Sequence, residues 1–193
     1  MTYESHPLHP FLPANGRILF LGSFPPPRAR WSMDFFYPNW INDFWRIMGQ
    51  VHCGDPQHFV VPGERRFDRE RIIDFCRQRG IALYDVARRV CRVKDNASDD
   101  YLNIVESADI GGLLEMMPRC DKIVTTGGKA SEEVRIQLSL ASGESLPLPK
   151  IGECISLSAY GRSLRWWRMP SSSRAYPLRF ERKVELYAQP FAD

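Results

Sequence analysis

The chain has 193 residues, of which 44% are hydrophobic, 25% charged and 12% aromatic, and its formal net charge is +3. This composition is typical of a folded globular protein and excludes an intrinsically disordered chain. No run approaches the ~18 apolar residues that cross a membrane, and residues 1–16 lack the basic start and apolar run of a signal peptide. We therefore expect a cytoplasmic protein with a single domain spanning residues 1–193 and no membrane partner.

The spacings of cysteine and histidine argue against a metal site. No CxxC pair occurs among the five cysteines, which predicts reduced thiols rather than disulfides, a zinc ribbon or an iron–sulfur cluster. The four histidines form neither an HxxxH nor an HExxH pattern. We therefore expect neither a metal nor a cofactor.

Short apolar or alternating stretches predict four strands, and helical periodicities predict helices between them. The strands fall at residues 17–24, 81–86, 122–126 and 163–169, and the helices at 42–52, 68–79, 101–105, 110–117, 130–140 and 181–189, with a turn at 96–100. This alternation predicts an α/β fold, a three-layer α/β/α sandwich with a central four-stranded, mainly parallel sheet. Ligands of such sheets bind beyond the carboxyl ends of the strands. There we expect residues 22–27, 125–129 and 170–174 to meet, together with Asp85.

The first of these segments is a Gly-Ser-Phe-Pro turn that leads to an aromatic cluster. At Gly22 and Ser23, small residues and backbone N–H groups would let a ligand approach closely. Phe36 and Tyr37 follow, and Asn42 lies nearby in the sequence. Aromatic rings beside amides suit a flat, hydrogen-bonding ligand such as a nucleobase. The alternative is that the rings are plain core and that Asn42 only caps a helix.

The last segment places three serines and an arginine after a strand-ending proline. Ser171, Ser172, Ser173 and Arg174, which follow Pro170, could bind phosphate oxygens. Basic and aromatic residues interleave on both sides, a pattern typical of a nucleic-acid surface: Arg162, Arg165, Trp166, Trp167, Arg168 and Arg179. The alternative is a solvated loop after a core strand.

The middle segment, TTGGKA at residues 125–130, places two glycines at a predicted helix start. Backbone N–H groups at such a position can bind an anion or another ligand. A tight strand-to-helix turn is the alternative. The chain has no GxxxxGK[ST] and no GxSxG sequence, which excludes a Walker phosphate loop and the nucleophile elbow of serine hydrolases.

Taken in order, these segments resemble the uracil-DNA glycosylase superfamily, and most closely its hypoxanthine-DNA glycosylase branch. The motifs that carry the resemblance are Gly22-Ser23-Phe24-Pro25 for the family's Gly-x-x-Pro turn, NDFWRIMG at residues 42–49, GIALYDV at 80–86, GGKA at 127–130 and the Pro-Ser loop at 169–173. The resemblance extends from about residue 10 to residue 187.

The resemblance implies a monofunctional DNA N-glycosylase of base-excision repair. Such an enzyme flips a deaminated base of the hypoxanthine or uracil type out of the stack and hydrolyses its N-glycosidic bond. The implied partner is single- or double-stranded DNA with a damaged base, and the implied protein is a monomer associated with the nucleoid. Asn42 would be catalytic, with Asp85 as a reserve general base. Base-binding residues would be Gly22, Ser23, Phe24, Tyr37 and Thr126, and DNA-binding residues would be Pro170, Ser171, Ser172, Ser173 and Arg174.

Several positions depart from the patterns of this superfamily. Phe24 replaces an asparagine of the mismatch-specific branch, Met169 replaces a histidine, and Thr126 replaces an asparagine that often reads the base. Asn39-Trp40 stand in place of a His-Pro pair, with one residue inserted. These departures leave open a catalytically weak or inactive DNA-binding member of the same fold. A nucleoside hydrolase shares the parallel sheet and the base pocket, but no acidic cluster for ribose stands on the predicted rim.

Overall fold

A computed structural model describes residues 2–92 and 102–192. Within these ranges the strands are β1 (Thr2–Ser5), β2 (Ile18–Gly22), β3 (Ile81–Asp85), β4 (Ala87–Arg92), β5 (Leu102–Ser107), β6 (Lys122–Thr126), β7 (Cys154–Ala159) and β8 (Arg162–Met169). The α-helices of the same ranges are α1 (Phe44–Cys53), α2 (Arg69–Arg79), α3 (Ile110–Glu115), α4 (Gly128–Ser142) and α5 (Phe180–Ala188), and short 3-10 turns lie at Arg28–Arg30 and Gln189–Phe191.

The central sheet has the order β3-β2-β6-β8-β7. Its first four strands are mutually parallel, as the sequence predicts, whereas β7 pairs antiparallel with β8. The predicted count of four strands is therefore wrong by one. The turn between β7 and β8 has positive φ at both Tyr160 (52°) and Gly161 (71°). Two left-handed residues in succession are the signature of the tight hairpin turn that matches the twist of antiparallel strands.

Helices cover both faces of this sheet. Phe20 of β2 contacts Phe44 of α1, and Phe44 contacts Tyr187 of α5, which places these two helices on one face. Thr125 of β6 follows Val124, the register partner of Phe20, so its side chain points to the other face. There the Thr125 hydroxyl accepts a hydrogen bond from Ser131 of α4 at 2.9 Å. The three-layer α/β/α arrangement predicted from the sequence is confirmed.

A second sheet, of order β1-β4-β5, is antiparallel and was not predicted. The helix expected at 101–105 is wrong, because the described part of that range belongs to β5. Leu102 and Ile104 alternate with polar neighbours and pack on Ala87 and Val90 of β4, which is the period-two pattern of a strand. The turn expected at 96–100 lies outside the described residues.

Most helix boundaries follow recognisable capping residues. The Asp68 side chain accepts a hydrogen bond from the Arg71 N–H at the start of α2, and Gly80 ends that helix with φ 65°. Before α4, Gly127 has φ 95°, a conformation that favours glycine. None of the helices in ranges 2–92 and 102–192 combines the length and apolar character that crossing a membrane requires.

Candidate nucleobase site

A cavity of about 550 Å³ opens at the carboxyl ends of the parallel strands. This volume lies within the range of small-molecule sites, roughly 300–1,000 Å³. Ser23 follows β2, Asp85 ends β3, and Thr126 ends β6, so the sheet itself supplies one side of the cavity. The remaining walls come from residues 25–42 and from the loop after β8. The lining residues are Ser23, Pro25, Pro26, Arg30, Phe36, Tyr37, Pro38, Asn39, Ile41, Asn42, Asp85, Thr126, Ser171, Ser172, Ser173, Ala175, Tyr176 and Pro177.

Polar groups are concentrated where the strands end, and they are deeply buried. Ser23, Asp85 and Thr126 are each less than 10% exposed. The Tyr37 hydroxyl lies 3.0 Å from the Thr126 hydroxyl, and either group can donate that hydrogen bond. We refer to Ser23, Tyr37, Asp85 and Thr126 as the cavity floor. Polar atoms on an otherwise shielded floor can fix the orientation of a flat ligand through its edge.

Tyr37 holds an unusual backbone conformation beside the cavity. Its φ of 50° lies in the left-handed region, which bulky residues rarely adopt and which costs roughly 1–3 kcal/mol. Its ring stacks on Phe44 at a centroid distance of 3.7 Å, with the planes 9° apart. Burial, followed by the nearby Asp85 carboxylate and Tyr187, raises the pKa of Tyr37 well above its ordinary value, against a smaller opposing effect of the Thr126 hydrogen bond. The phenol is therefore neutral at physiological pH and can donate a hydrogen bond.

Asn42 lies at the cavity wall just before α1. Its Oδ1 accepts a hydrogen bond from the Phe44 N–H at 2.9 Å, which satisfies the first free amide of the helix. The expected capping contact is therefore present, although the residue at the helix boundary is Asp43. The Phe44 N–H takes one of the two lone pairs of Oδ1 and fixes the orientation of the amide, and the Asn42 NH₂ is the group that can donate to a ligand.

Backbone contacts join Asn42 to the serine loop, residues 171–173. Asn42 forms an antiparallel bridge with Ser173, and the Asp43 N–H donates to the Ser172 carbonyl at 2.9 Å. The Lys183 ammonium of α5 also donates to the Ser173 carbonyl at 2.7 Å, and Lys183 is only 1% exposed. The start of α1 and the helix α5 thus both hold the loop, and the segments predicted to meet at this rim do meet.

Two cations at the cavity differ in their availability. Arg174 was expected to bind phosphate, but it does not line the cavity, and its Nε donates to Asp43 Oδ1 at 2.7 Å. Arg30, which sequence reasoning missed, is exposed and lines the cavity. Among residues 2–92 and 102–192 it has no acidic partner within ion-pair distance. Its location in a short polar 3-10 turn after three prolines gave no periodic signal.

Several predicted base-binding and DNA-binding residues do line the cavity: Ser23, Tyr37, Thr126, Ser171, Ser172 and Ser173. Phe24 was expected to line it and does not. Its ring instead packs on the small core of the second sheet and lies edge-on to His6 at 5.3 Å. Pro170 is buried behind the wall, where its carbonyl accepts the Tyr187 hydroxyl at 2.7 Å. Gly22 lies beneath the floor, where a Cβ would overlap the Asp85 carboxylate.

The interleaved arginines and tryptophans of β8 do not form the nucleic-acid surface that their pattern suggested. Trp166 is fully buried and donates its indole N–H to the Thr125 hydroxyl at 3.1 Å. Arg168 donates to the Pro149 carbonyl, and Arg165 pairs with Asp121. The alternation reflects the two faces of a core strand. Similarly, Lys129 of the TTGGKA segment donates to the Leu102 carbonyl of β5.

His6 is the residue near the cavity that sequence reasoning missed most completely. Its Nε2 lies 2.8 Å from Asp85 Oδ2, and its side chain is 2% exposed. His6 follows β1, and its backbone N–H donates to the carbonyl of Arg88 in β4. The contact joins residues 79 positions apart in the chain, so only a weak hint existed: a histidine just before a proline in the first residues.

The fold and the cavity together define a class: a three-layer α/β/α protein with a polar-floored cavity at the carboxyl ends of its parallel strands. No family model matches the chain. A hypoxanthine DNA glycosylase from Methanosarcina acetivorans is 30% identical over 121 residues, which cover 63% of this chain and 70% of that protein. A Methanosarcina acetivorans structure, solved by solution NMR and titled a putative uracil DNA glycosylase, has the same fold: the TM-score is 0.65, with 24% identity over 98% of this chain and 97% of that one.

The chain belongs to the uracil-DNA glycosylase superfamily and, within it, to the hypoxanthine-DNA glycosylase branch. The resemblance inferred from the Gly-Ser-Phe-Pro turn, the NDFWRIMG stretch and the Pro-Ser loop is thereby confirmed.

Proposed function

We propose that the protein is a monofunctional DNA N-glycosylase that removes a deaminated base of the hypoxanthine or uracil type. The observation that carries the proposal is the backbone pairing of Asn42 and Asp43 with the serine loop at the cavity wall. This pairing holds an amide donor beside two hydroxyls and above a polar floor, so that one extruded nucleotide would contact all three. The name of the related hypoxanthine DNA glycosylase supports this class of base.

The parts of the cavity would bind different parts of that nucleotide. A stacked base is out of reach, so the nucleotide must rotate out of the duplex at a cost of about a few kcal/mol. Hydroxyls of Ser171 and Ser173 would bind its flanking phosphates and offset part of this cost. The Tyr37 ring, held from one side by Phe44, would stack on the base with its other face.

The reaction would break the bond between C1′ of the sugar and the base nitrogen. The bond electrons leave with the base, which takes up a proton, and the sugar passes through an oxocarbenium-like state that water attacks. The Asn42 NH₂ would hold this water or the developing sugar centre at a fixed geometry. A positioned neutral donor lowers a barrier without changing charge. Among the described residues the lining contains no lysine, which favours hydrolysis over Schiff-base chemistry.

A panel of DNA substrates tests this proposal. Single strands and duplexes carrying hypoxanthine, uracil, xanthine or a thymine mismatch are incubated with the protein and then treated with alkali. We expect abasic sites on at least one of the deaminated bases, with strand cleavage only after alkali. Binding without abasic sites on any substrate would indicate the inactive member of the fold. Cleavage before alkali would contradict a monofunctional enzyme, and release of bases from free nucleosides would indicate a nucleoside hydrolase.

The charge on Arg30 predicts a specific salt dependence. Replacing Arg30 with alanine should weaken binding to every DNA in the panel by a similar factor. It should also make the slope of log K against log salt shallower by about one unit, as expected for one lost phosphate contact. Arg174→Ala should change the slope less, because Asp43 already offsets that charge. The control is Arg79→Ala, an exposed arginine before β3 at the opposite end of the sheet. An unchanged slope for Arg30→Ala would place the phosphate contacts elsewhere.

A further inference from the structure

The His6 imidazole is fixed from both of its nitrogens. Nε2 lies 2.8 Å from Asp85 Oδ2, while Nδ1 lies 3.1 Å from the Leu8 nitrogen and 2.8 Å from the Leu8 oxygen. An ionised carboxylate only accepts hydrogen bonds, so Nε2 is the donor to Asp85. Nδ1 faces both the N–H and the carbonyl of Leu8, so the segment after β1 holds the second ring nitrogen. These contacts together fix the orientation of the ring.

Aromatic neighbours prevent the imidazole from turning away. The rings of Tyr84, Phe24 and Phe36 lie at centroid distances of 4.8, 5.3 and 6.2 Å from it. The Phe24 that fails to line the cavity thus supports the residue behind it. A buried polar side chain confined in this way is a rigid support for the group that it contacts.

The supported group is Asp85, the one acidic side chain among the described residues that line the cavity. Its Oδ2 is engaged by His6, and its Oδ1 lies against the Cα of Gly22. A Cβ built on Gly22 would overlap Asp85 Oδ1 and would lie 3.5 Å from the Tyr37 hydroxyl. Asp85 Oδ1 is therefore on the side of the carboxylate that faces the Tyr37–Thr126 hydroxyl pair, on the cavity floor.

The Asp85 carboxylate and the neighbouring hydroxyls can distinguish bases by the hydrogen-bonding groups on their edges. Hypoxanthine, uracil and xanthine each carry a ring N–H beside a carbonyl, because deamination replaces an amino group with oxygen and places a proton on the ring nitrogen. Adenine presents a lone pair at that nitrogen. A carboxylate accepts from the first kind of edge and repels the second, while a neutral hydroxyl can serve the adjacent carbonyl.

We propose that Asp85 reads the ring N–H of a deaminated base and that His6 is the positioning residue that aims its carboxylate. The proposal rests on the function proposed above and adds a specificity determinant and a role for the segment after β1. A site with a fixed acceptor discriminates strongly, because a base without the matching donor leaves that acceptor buried and unpaired.

Binding of uncleavable DNA tests the proposal separately from catalysis. Duplexes that carry 2′-fluoro-deoxyinosine or 2′-fluoro-deoxyadenosine at one site are titrated with the wild-type protein and its variants. We expect the wild type to prefer the inosine duplex by about tenfold or more, the effect of one hydrogen bond to a charged group. Asp85→Asn and His6→Leu should reduce this preference to near one, and His6→Gln, which keeps a donor, should retain most of it.

A half-buried histidine elsewhere in the fold, His52, provides the matched control. His52 lies near the far end of α1, packed on Phe75 and Phe191 and away from the cavity. His52→Leu should leave the preference unchanged, and thermal melting of each variant reports its folding. If His6→Leu does not fold, Asp85→Asn and His6→Gln still decide the matter.

The outcomes distinguish a role of Asp85 in base recognition from a role in catalysis. A wild-type preference that persists in Asp85→Asn would overturn the proposal, as would a wild-type protein with no preference. An equal loss of excision on every base with the preference intact would instead make Asp85 a general base and also overturn it. Abasic-site assays on ordinary duplexes test the proposed enzyme separately. If no base is excised but the binding preference still depends on Asp85, the proposed glycosylase activity is contradicted and the role of Asp85 in base recognition stands.

Discussion

Asn42→Ala is expected to slow single-turnover excision about 100-fold or more while DNA binding stays near that of the wild type. Asn42 lines the cavity and its Oδ1 accepts the Phe44 N–H, so that its NH₂ can donate to a nucleotide bound there. Loss of one positioned donor to a developing transition state has a cost of this size in other enzymes. The measurement is the excision rate with protein in excess over a duplex carrying the preferred base from the substrate panel.

The alanine variant also loses a helix cap, so its effect on stability must be separated from its effect on rate. Loss of the cap should cost about 1 kcal/mol of unfolding free energy. Asn42→Ser keeps a capping oxygen but lacks the amide, so it should regain stability and stay slow. Asp68→Ala removes the cap of α2, a residue that does not line the cavity. This variant should lower the free energy of unfolding and leave the excision rate unchanged. A rate for Asn42→Ser close to wild type would remove the amide from the mechanism.

The central sheet could be predicted because each of its parallel strands carries a local signal. β2 is a continuous apolar run that ends in glycine, and β6 is a short β-branched stretch followed by two glycines; both faces of these strands are buried. Caps and glycines then mark the helices between them. By contrast, β1 and β4 pair although they are far apart in the sequence, as Tyr3 with Cys91, and no local pattern encodes that partnership. β7 was not predicted although it alternates, with Ile155 and Leu157 on either side of Ser156, and this short alternation is the signal that could have found it.

The sequence predicted the parts of the candidate site whose backbone is fixed by a motif. It missed the parts in which the direction of a side chain determines whether the residue reaches the cavity. Asn42 and the serine loop come together because their main chains pair. Phe24 and Arg174 sit in the correct segments, yet neighbours that are remote in sequence turn one toward the second sheet and the other toward Asp43. A local pattern carries no information on such neighbours. His6 depends on the same kind of long-range contact.

Gly22 shows how the sheet and the site depend on one residue without a side chain. It pairs with Asp85 in the register of β2 and β3, and a Cβ at this position would overlap the Asp85 carboxylate. The first glycine of the Gly-x-x-Pro turn is thus required less for its backbone freedom than for the space it leaves at the cavity floor. Its φ is not in the left-handed region, so alanine would be acceptable to the backbone alone.

Gly22→Ala is therefore expected to reduce excision about 100-fold, because a displacement of a catalytic or binding group by about 1 Å can have that effect. The Asp85 carboxylate must move away from the new methyl group, which also strains its contact with His6. Base preference should fall together with rate, whereas Asn42→Ala should lower the rate alone. Excision kinetics and the inosine-to-adenosine binding ratio distinguish these two patterns.

A second crowded glycine supplies the control for strain in general. A Cβ on Gly111 of α3 would lie 2.8 Å from Tyr160 Cε1, at the turn before β8 and the opposite end of that strand from the cavity. Gly111→Ala should lower the melting temperature by an amount comparable to Gly22→Ala and leave excision near wild type. If both variants lose excision in proportion to their stability, the effect of Gly22→Ala comes from the fold. If only Gly22→Ala loses it, the space under the Asp85 carboxylate is a requirement of the site.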